Sequence, residues 1–289
     1  MGNATASDTF ILNDGTPMPR LGQGTWYMGE DKKERDREIE AIRTGIENGM
    51  TLIDTAEMYG EGRSEELVGE AIRGLDRESL FIVSKVYPYN AGRPEIFRSC
   101  EASLKRLGTD YLDLYLLHWR GSVPLEETVE CMNELVAEGK IRNWGVSNFD
   151  ADDMEELLSI PGGENCRVNQ VLYHLGSRGI EYDLLPMMAD EGIAVMAYSP
   201  MAHSERSRNR LTSHPVVREV AESYGVTPEQ LLLAFVLSKK HVIAIPKSGT
   251  PEHVKENAEA VSIELYSEDL ERLMEAFPAP NHRTPLDML

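Results

Sequence analysis

Cysteine is scarce in this chain of 289 residues: Cys100, Cys131 and Cys166 are odd in number and far apart. Such spacing fits neither a disulfide framework nor a zinc site, so the three read as buried or neutral thiols in a reducing compartment. Long apolar runs are missing too, none approaching the roughly 18 residues of a membrane span. The first ten residues lack the basic-then-apolar order of a secretory signal, and Met1-Gly2 followed by Ala6 fails the myristoylation pattern. These absences imply a soluble, cytoplasmic protein. Positive charge is in short supply: 49 acidic residues against 29 basic give a net charge of −20, which argues against nucleic acid or an anionic membrane as partner. Acid excess with arginine outnumbering lysine suits a salt-rich cytoplasm, and equally an ordinary acidic enzyme kept in solution by its charge. Glycine is also missing at one telling place. Gly22 and Gly24 begin a G-x-G-x-x-G pattern, but Tyr27 stands where the third glycine belongs, so a Rossmann fold is not indicated.

What is present is a regular alternation. With 41% hydrophobic residues and no Pro/Ser-rich linker or shift in composition, residues 1–289 read as one domain. Residues 10–12 and 18–21 form two short strands around the Asp14-Gly15 turn. Helices are then expected at 34–48, 64–73, 94–107, 124–138, 152–158, 182–191, 214–224, 228–238 and 251–260. Strands are expected at 21–22, 51–54, 80–84, 111–117, 141–146, 167–172, 193–197 and 242–245. Eight strands separated by helices are the pattern of an α/β fold, the (β/α)8 TIM barrel, with an N-terminal β-hairpin. Thr227-Pro228-Glu229-Gln230 is a capping box with proline at the first helical position, and Thr250-Pro251-Glu252 is expected to start its helix the same way. Three prolines between Pro278 and Pro285 make the C-terminal tail a looped segment.

Three consecutive strands end on groups capable of proton chemistry. Residues 51–53 run into Asp54 with Tyr59 just beyond, residues 80–83 into Ser84-Lys85, and residues 111–117 into His118-Trp119. Parallel strands bring Asp54, Tyr59, Lys85 and His118 to the face where such barrels carry their active sites. Each residue alone has an ordinary structural explanation; the combination does not. A nearby Lys85 ammonium is expected to lower the Tyr59 pKa, Asp54 to keep Lys85 charged, and His118 to donate a hydrogen bond to a substrate oxygen. Such a site protonates a developing alkoxide, which suits carbonyl reduction beside a hydride source. His118 and His174 lack ligand spacing for zinc, and no metal is expected.

The segments LIDTAEMYG, IVSKV, LYLLHW, GVSNF, NQVLYH, AYSP and IPKS occur in this order, and the chain from about Phe10 to Phe277 resembles the aldo-keto reductase superfamily. GQGTWYMGED, VYPYNAG, LGSRGIEYDLLP and PLDML are similar to bacterial members that reduce methylglyoxal and related aldehydes. The resemblance implies Tyr59 as general acid, Lys85 and Asp54 as its tuning pair, and His118 as the group that orients the carbonyl. It implies that Ser147, Asn148 and Gln170 hold the nicotinamide carboxamide, that Tyr198 stacks on the ring, and that Lys247, Ser248, His253, Glu256 and Asn257 surround the adenosine end. Trp26, Tyr87 and Trp119 would line the substrate pocket. The implied cofactor is NADPH. His253 stands where many members carry an arginine that grips the 2′-phosphate, which leaves NADH or dual use open. Arg206, Arg208 and Arg210 read either as a solvated loop or as a segment reaching the cofactor phosphates. The implied substrate is a small carbonyl compound and the implied assembly a monomer. The alternative function is a nicotinamide-binding regulatory subunit with little turnover.

Overall fold

A computed structural model describes residues 9–289. It opens with β1 (Thr9–Ile11) and β2 (Pro17–Pro19), an antiparallel hairpin. Asp14 closes the turn by accepting bonds from the Thr16 N–H and hydroxyl, both at 2.9 Å. Then follow β3 (Gly22–Gly24), α1 (Arg35–Glu47), β4 (Leu52–Asp54), α2 (Arg63–Ala71), β5 (Phe81–Val86), α3 (Glu95–Leu107), β6 (Leu112–Leu117) and α4 (Leu125–Ala137). The order continues with β7 (Ile141–Ser147), α5 (Ala151–Ser159), β8 (Cys166–Leu172), α6 (Leu184–Asp190), β9 (Ala194–Tyr198), α7 (Glu205–Thr212), α8 (Pro215–Tyr224), α9 (Pro228–Leu237), β10 (Val242–Ile245), α10 (Pro251–Glu259) and α11 (Ser267–Ala276). Strands β3 to β10 lie side by side in sequence order, all parallel. Parallel bridges from Leu21 to Ala244 and from Gly24 to Lys247 join the first strand to the last, so the sheet closes as the expected barrel.

Two apolar layers hold it. Alternate residues of each strand face outward to the helices, for example Ile53, Ile82, Val195 and Ala244. Their neighbours Leu52, Phe81, Val83, Leu114, Leu116, Val168, Met196 and Ile243 fill the barrel interior, the two-residue period of a strand buried on both faces. Leu12 and Met18 of the hairpin belong to this inner cluster, so the hairpin stoppers the amino-terminal end of the barrel. All three cysteines are buried, and burial raises the Cys100 and Cys166 thiols to about 12.

The structure differs from the sequence reading in several places. The second hairpin strand ends two residues earlier than expected, and the first barrel strand is Gly22–Gly24 rather than 21–22. The polar segment after β9 is helical: Ser204 caps α7 by accepting the Ser207 N–H at 3.1 Å, while only Leu211 gives it a buried anchor. Helix α11 was not expected, because its apolar face is narrow; only Leu273 is buried, with Leu270 and Met274 packed partly against the core. Thr227 and Gln230 form the expected reciprocal cap. The Thr250 side chain caps nothing; instead the Ser248 hydroxyl accepts the Thr250 N–H at 3.2 Å.

The stopper generates a paired prediction. Met18 is fully buried and Ile11, on the opposite face of the hairpin, is 58% exposed. Met18→Ala is expected to lower unfolding stability by about 2–5 kcal/mol and Ile11→Ala by about 0.5 kcal/mol or less, read from urea denaturation midpoints.

Candidate active site

On six of the barrel strands the inward face is apolar up to the carboxyl end, where the next position of the same parity turns polar. Leu52 is followed two residues on by Asp54, Val83 by Lys85, Leu116 by His118, Val168 by Gln170, Met196 by Tyr198 and Ile245 by Lys247. The period of two therefore delivers these polar side chains to one layer above the core. Gly145 and Ser147 continue the pattern on β7. The resulting cavity holds about 480 Å3 and is walled by Asp54, Tyr59, His118, Ser147, Gln170 and Tyr198, among others.

Lys85 is the centre of the layer. Its fully buried ammonium donates to Asp54 Oδ2 at 2.7 Å, to the Thr55 carbonyl at 2.9 Å and to Tyr59 Oη at 3.0 Å. The other oxygen of Asp54 accepts from Gln170 Nε2 at 2.7 Å, so a residue expected at the cofactor carboxamide is tied to the ion pair. The loop that carries Tyr59 is fixed by a hydroxyl chain: Thr55 Oγ1 to Ser64 Oγ at 3.1 Å, then Ser64 Oγ to Thr25 Oγ1 at 2.8 Å. The Tyr59 ring meets His118 edge-on, with centroids 5.7 Å apart. His118 is held by its main chain, its N–H to Val86 and its carbonyl from Asn148 Nδ2; its Nδ1 is buried without a hydrogen-bond partner.

Burial decides the protonation states. The Tyr59 phenol lies above its ordinary value: burial raises it most, the Lys85 ammonium lowers it, and Asp54 raises it again. This corrects the expectation of a lowered pKa, because removal from water outweighs the ammonium; Tyr59 is a protonated phenol at neutral pH. Burial opposes the charge on Lys85, but Asp54 and Tyr59 overcome it and the ammonium persists. His118 is driven well below its usual value by burial and then by Lys85, so it is a neutral imidazole. His174 is likewise pushed down to about 4, chiefly by burial, and its Nδ1 accepts the Gly176 N–H at 3.0 Å.

The remaining expected residues divide between the cavity and its margins. Ser147 Oγ donates to the Gln170 carbonyl at 2.8 Å, and Tyr198 Oη donates to Asn148 Oδ1 at 2.9 Å. Trp26, Trp119 and Lys247 line the cavity. Tyr87 does not; it stacks on Tyr89 and meets Trp119 edge-on at 6.0 Å, so it buttresses the wall from behind. Ser248 precedes α10, and His253, Glu256 and Asn257 lie on it; all four are outside the cavity proper, with His253 and Glu256 exposed and Asn257 buried.

The sequence reading missed several lining residues: Met58, residues 199–203, Met288 and Leu289; of the three arginines left open between a solvated loop and the cofactor phosphates, Arg208 lines the cavity and Arg206 and Arg210 do not. His203 stacks on Trp26 with centroids 5.1 Å apart, joining the loops after β3 and β9 over the mouth. The tail reaches the cavity because Arg283 pairs with Asp152 and Asp183, each at 2.9 Å. Four lining residues, Tyr27, Asn148, Ser199 and Ala202, carry left-handed backbone despite being non-glycine. Such strain collects at functional sites; nothing in residue type announces it beyond the asparagine.

Comparison with known proteins agrees with this geometry. The model of the aldo/keto reductase family matches residues 20–277. A methylglyoxal reductase of Escherichia coli, YeaE, is 57% identical over 94% of this chain and 95% of its own length. A glyoxal reductase of Bacillus subtilis is 36% identical over 92% and 91%. A crystal structure of an aldo/keto reductase from Klebsiella pneumoniae in complex with NADP and acetate superposes with a TM-score of 0.95 at 52% identity, covering 98% of this chain and 99% of that one. A family match across most of the chain and close relatives over nearly its full length lead to one conclusion: the chain belongs to the aldo/keto reductase family.

Proposed function

We propose that this protein reduces aldehydes and reactive dicarbonyls of the methylglyoxal type to alcohols at the expense of NADPH. The carrying observation is the buried contact of Lys85 Nζ with both Asp54 and Tyr59 Oη, at the bottom of a cavity wide enough for a cofactor end and a small substrate. Similarity to a methylglyoxal reductase and to a structure holding NADP supports the choice of substrate and cofactor.

The residues present suit a nicotinamide dinucleotide. Tyr198 offers an aromatic surface on the cavity wall, with Asn148, Ser147 and Gln170 beside it as amide and hydroxyl partners. Lys247 is exposed at the rim and has no ion pair among the described residues, so its charge is available to a phosphate; Ser248, His253, Glu256 and Asn257 continue that surface along α10. NADPH, when bound, supplies the hydride.

The chain's own residues manage the proton. His118, neutral and with Nδ1 unpartnered, hydrogen-bonds the carbonyl oxygen and sets its direction. Tyr59 Oη gives its proton to the oxygen as negative charge develops there. The Lys85 ammonium stabilises the phenolate left behind, and Asp54 keeps that ammonium charged and in place. Trp26 and Trp119 exclude water and form the apolar walls, with Tyr87 supporting Trp119. Our reading takes the chain as one domain that acts as a monomer in the cytoplasm. No helix among the described residues is long and apolar enough to cross a membrane.

Replacing Tyr59 by Phe removes the proton but little volume. Oxidation of NADPH with methylglyoxal is expected to slow by about 10²–10⁴-fold, while cofactor binding followed by fluorescence changes little. Unchanged turnover would sink the assignment of Tyr59. With NADH in place of NADPH, a raised KM is expected, because Lys247 then lacks a 2′-phosphate to meet.

The protonation states set the pH profile. A neutral His118 and a protonated Tyr59 leave kcat/KM for reduction flat across about pH 7–9, with the decline coming only above the ordinary phenol value near 10. A limb centred near 6.5 would show that His118 titrates as an ordinary imidazole and would contradict its burial.

A further inference from the structure

Glu57 stands between Asp54 and Tyr59, yet the proton chemistry makes no use of it. It is half-buried and does not line the cavity. Its setting is the end of a strand. β4 stops at Asp54, opposite Val83, whereas β5 runs on to Val86. The edge of β5 left over by this mismatch carries main-chain groups that still need partners. The Thr55 N–H donates to the Val83 carbonyl at 2.9 Å, and the Glu57 N–H to the Lys85 carbonyl at 3.4 Å. At the next position along that edge a side chain takes over from the main chain. Glu57 Oε1 accepts the Tyr87 N–H at 2.7 Å and Asn90 Nδ2 at 3.2 Å. One carboxylate thereby carries the ladder past the end of its strand, with the strength of an ionised acceptor.

What Glu57 holds is the support of a cavity wall. Tyr87 meets Trp119 edge-on at 6.0 Å, and Trp119 lines the cavity with its ring 4.9 Å from that of His118. On its other flank the Tyr87 loop is braced by Pro88, with which a Cβ at Gly121 would collide. The loop is thus pinned from two sides, and Glu57 is the pin on the side of the acid. Tyr59 has fastenings of its own in Lys85 and in the hydroxyl chain through Ser64; the wall has no share in them. We infer that Glu57 is a positioning residue that sets the distance from Trp119 to the Tyr59 hydroxyl, and with it the preference of the site for aldehydes large enough to cover Trp119. It acts through Tyr87 and touches no reacting atom. An acceptor oxygen is what this role requires, and an amide supplies one as a carboxylate does. The inference rests on the reductase reading for the reaction that reports it.

The test compares methylglyoxal, which carries only a methyl group beyond its two carbonyls, with benzaldehyde, whose ring can lie on Trp119. Steady-state constants with NADPH are measured on the full chain for wild type, Glu57→Ala, Glu57→Gln, Tyr87→Ala, the double variant Glu57→Ala/Tyr87→Ala, and Glu66→Ala, which removes the same charge from an exposed position on α2. Thermal melts confirm folding, and amide hydrogen exchange follows the Tyr87 N–H. Glu57→Ala is expected to raise KM for benzaldehyde about fivefold to tenfold, to leave kcat/KM for methylglyoxal within about threefold and NADPH binding within about twofold, and to speed exchange at Tyr87. Glu57→Gln restores both the benzaldehyde KM and the protection. In the Tyr87→Ala background, removing Glu57 adds little, because the two act in series. Should Glu57→Ala not fold, Glu57→Asp, which draws the acceptor back by one methylene, is read in its place. The role is overturned if both aldehydes lose equally, if Glu57→Gln restores nothing, if the Glu57 and Tyr87 effects add in full, or if Glu66→Ala does the same. Wild type that consumes NADPH with neither aldehyde sinks the reductase reading and this role with it; wild type that consumes it with both, at a ratio that Glu57→Ala leaves unchanged, sinks the role alone.

Discussion

A lysine ammonium buried to 0% exposure is a demand that the surrounding structure must meet. Taking such a charge from water costs several kcal/mol, recovered only when the partner geometry is good and every proton is accepted. Here each of the three protons has an acceptor: Asp54, the Thr55 carbonyl and Tyr59. Two of these lie at the end of β4, which pairs with β5 in register, Leu52 opposite Phe81 and Asp54 opposite Val83. A slip of one residue would turn Asp54 or Lys85 toward the helices and leave a bare charge in apolar surroundings. The ion pair therefore fixes strand register, and register fixes the distance from Lys85 to the phenol. The group that tunes the acid is also a structural specification of the barrel.

The other requirement is that loops hold still. The hydroxyl chain from Thr55 through Ser64 to Thr25 fastens the Tyr59 loop to the start of α2 and to the loop after β3, using small side chains that lose little freedom. On the opposite wall, left-handed backbone at Asn148, Ser199 and Ala202 bends the chain where the cavity needs room. These conformations cost free energy locally, and the two apolar layers of the barrel supply the surplus that sustains them.

Much of this was legible in the residues. Eight strands and their helices follow from hydrophobic period, and Asp54, Lys85 and His118 follow from the rule that a polar residue ending an apolar strand is exceptional. The unexpected parts share a physical cause. Helix α7 has only Leu211 as buried anchor, too little apolar pattern to distinguish it from a loop. Tyr87 is a pocket residue by the family resemblance, yet here it stacks on Tyr89, a contact with no trace in spacing. The tail reaches the cavity through the pairing of Arg283 with Asp152 and Asp183, which stand far earlier in the chain. The sign of the Tyr59 shift was misjudged because a charge partner is visible in sequence, whereas the depth of burial that outweighs it is a property of the assembled barrel.

The packed interior of the barrel gives the cavity its floor. Leu12 and Met18 extend that packing toward the amino-terminal end, and above the cavity Trp26 stacks on His203. The polar layer that carries Asp54, His118 and Gln170 therefore rests on a base that cannot give way. A two-strand plug at the far end of the molecule from the chemistry thus helps to keep the floor beneath the reacting groups rigid.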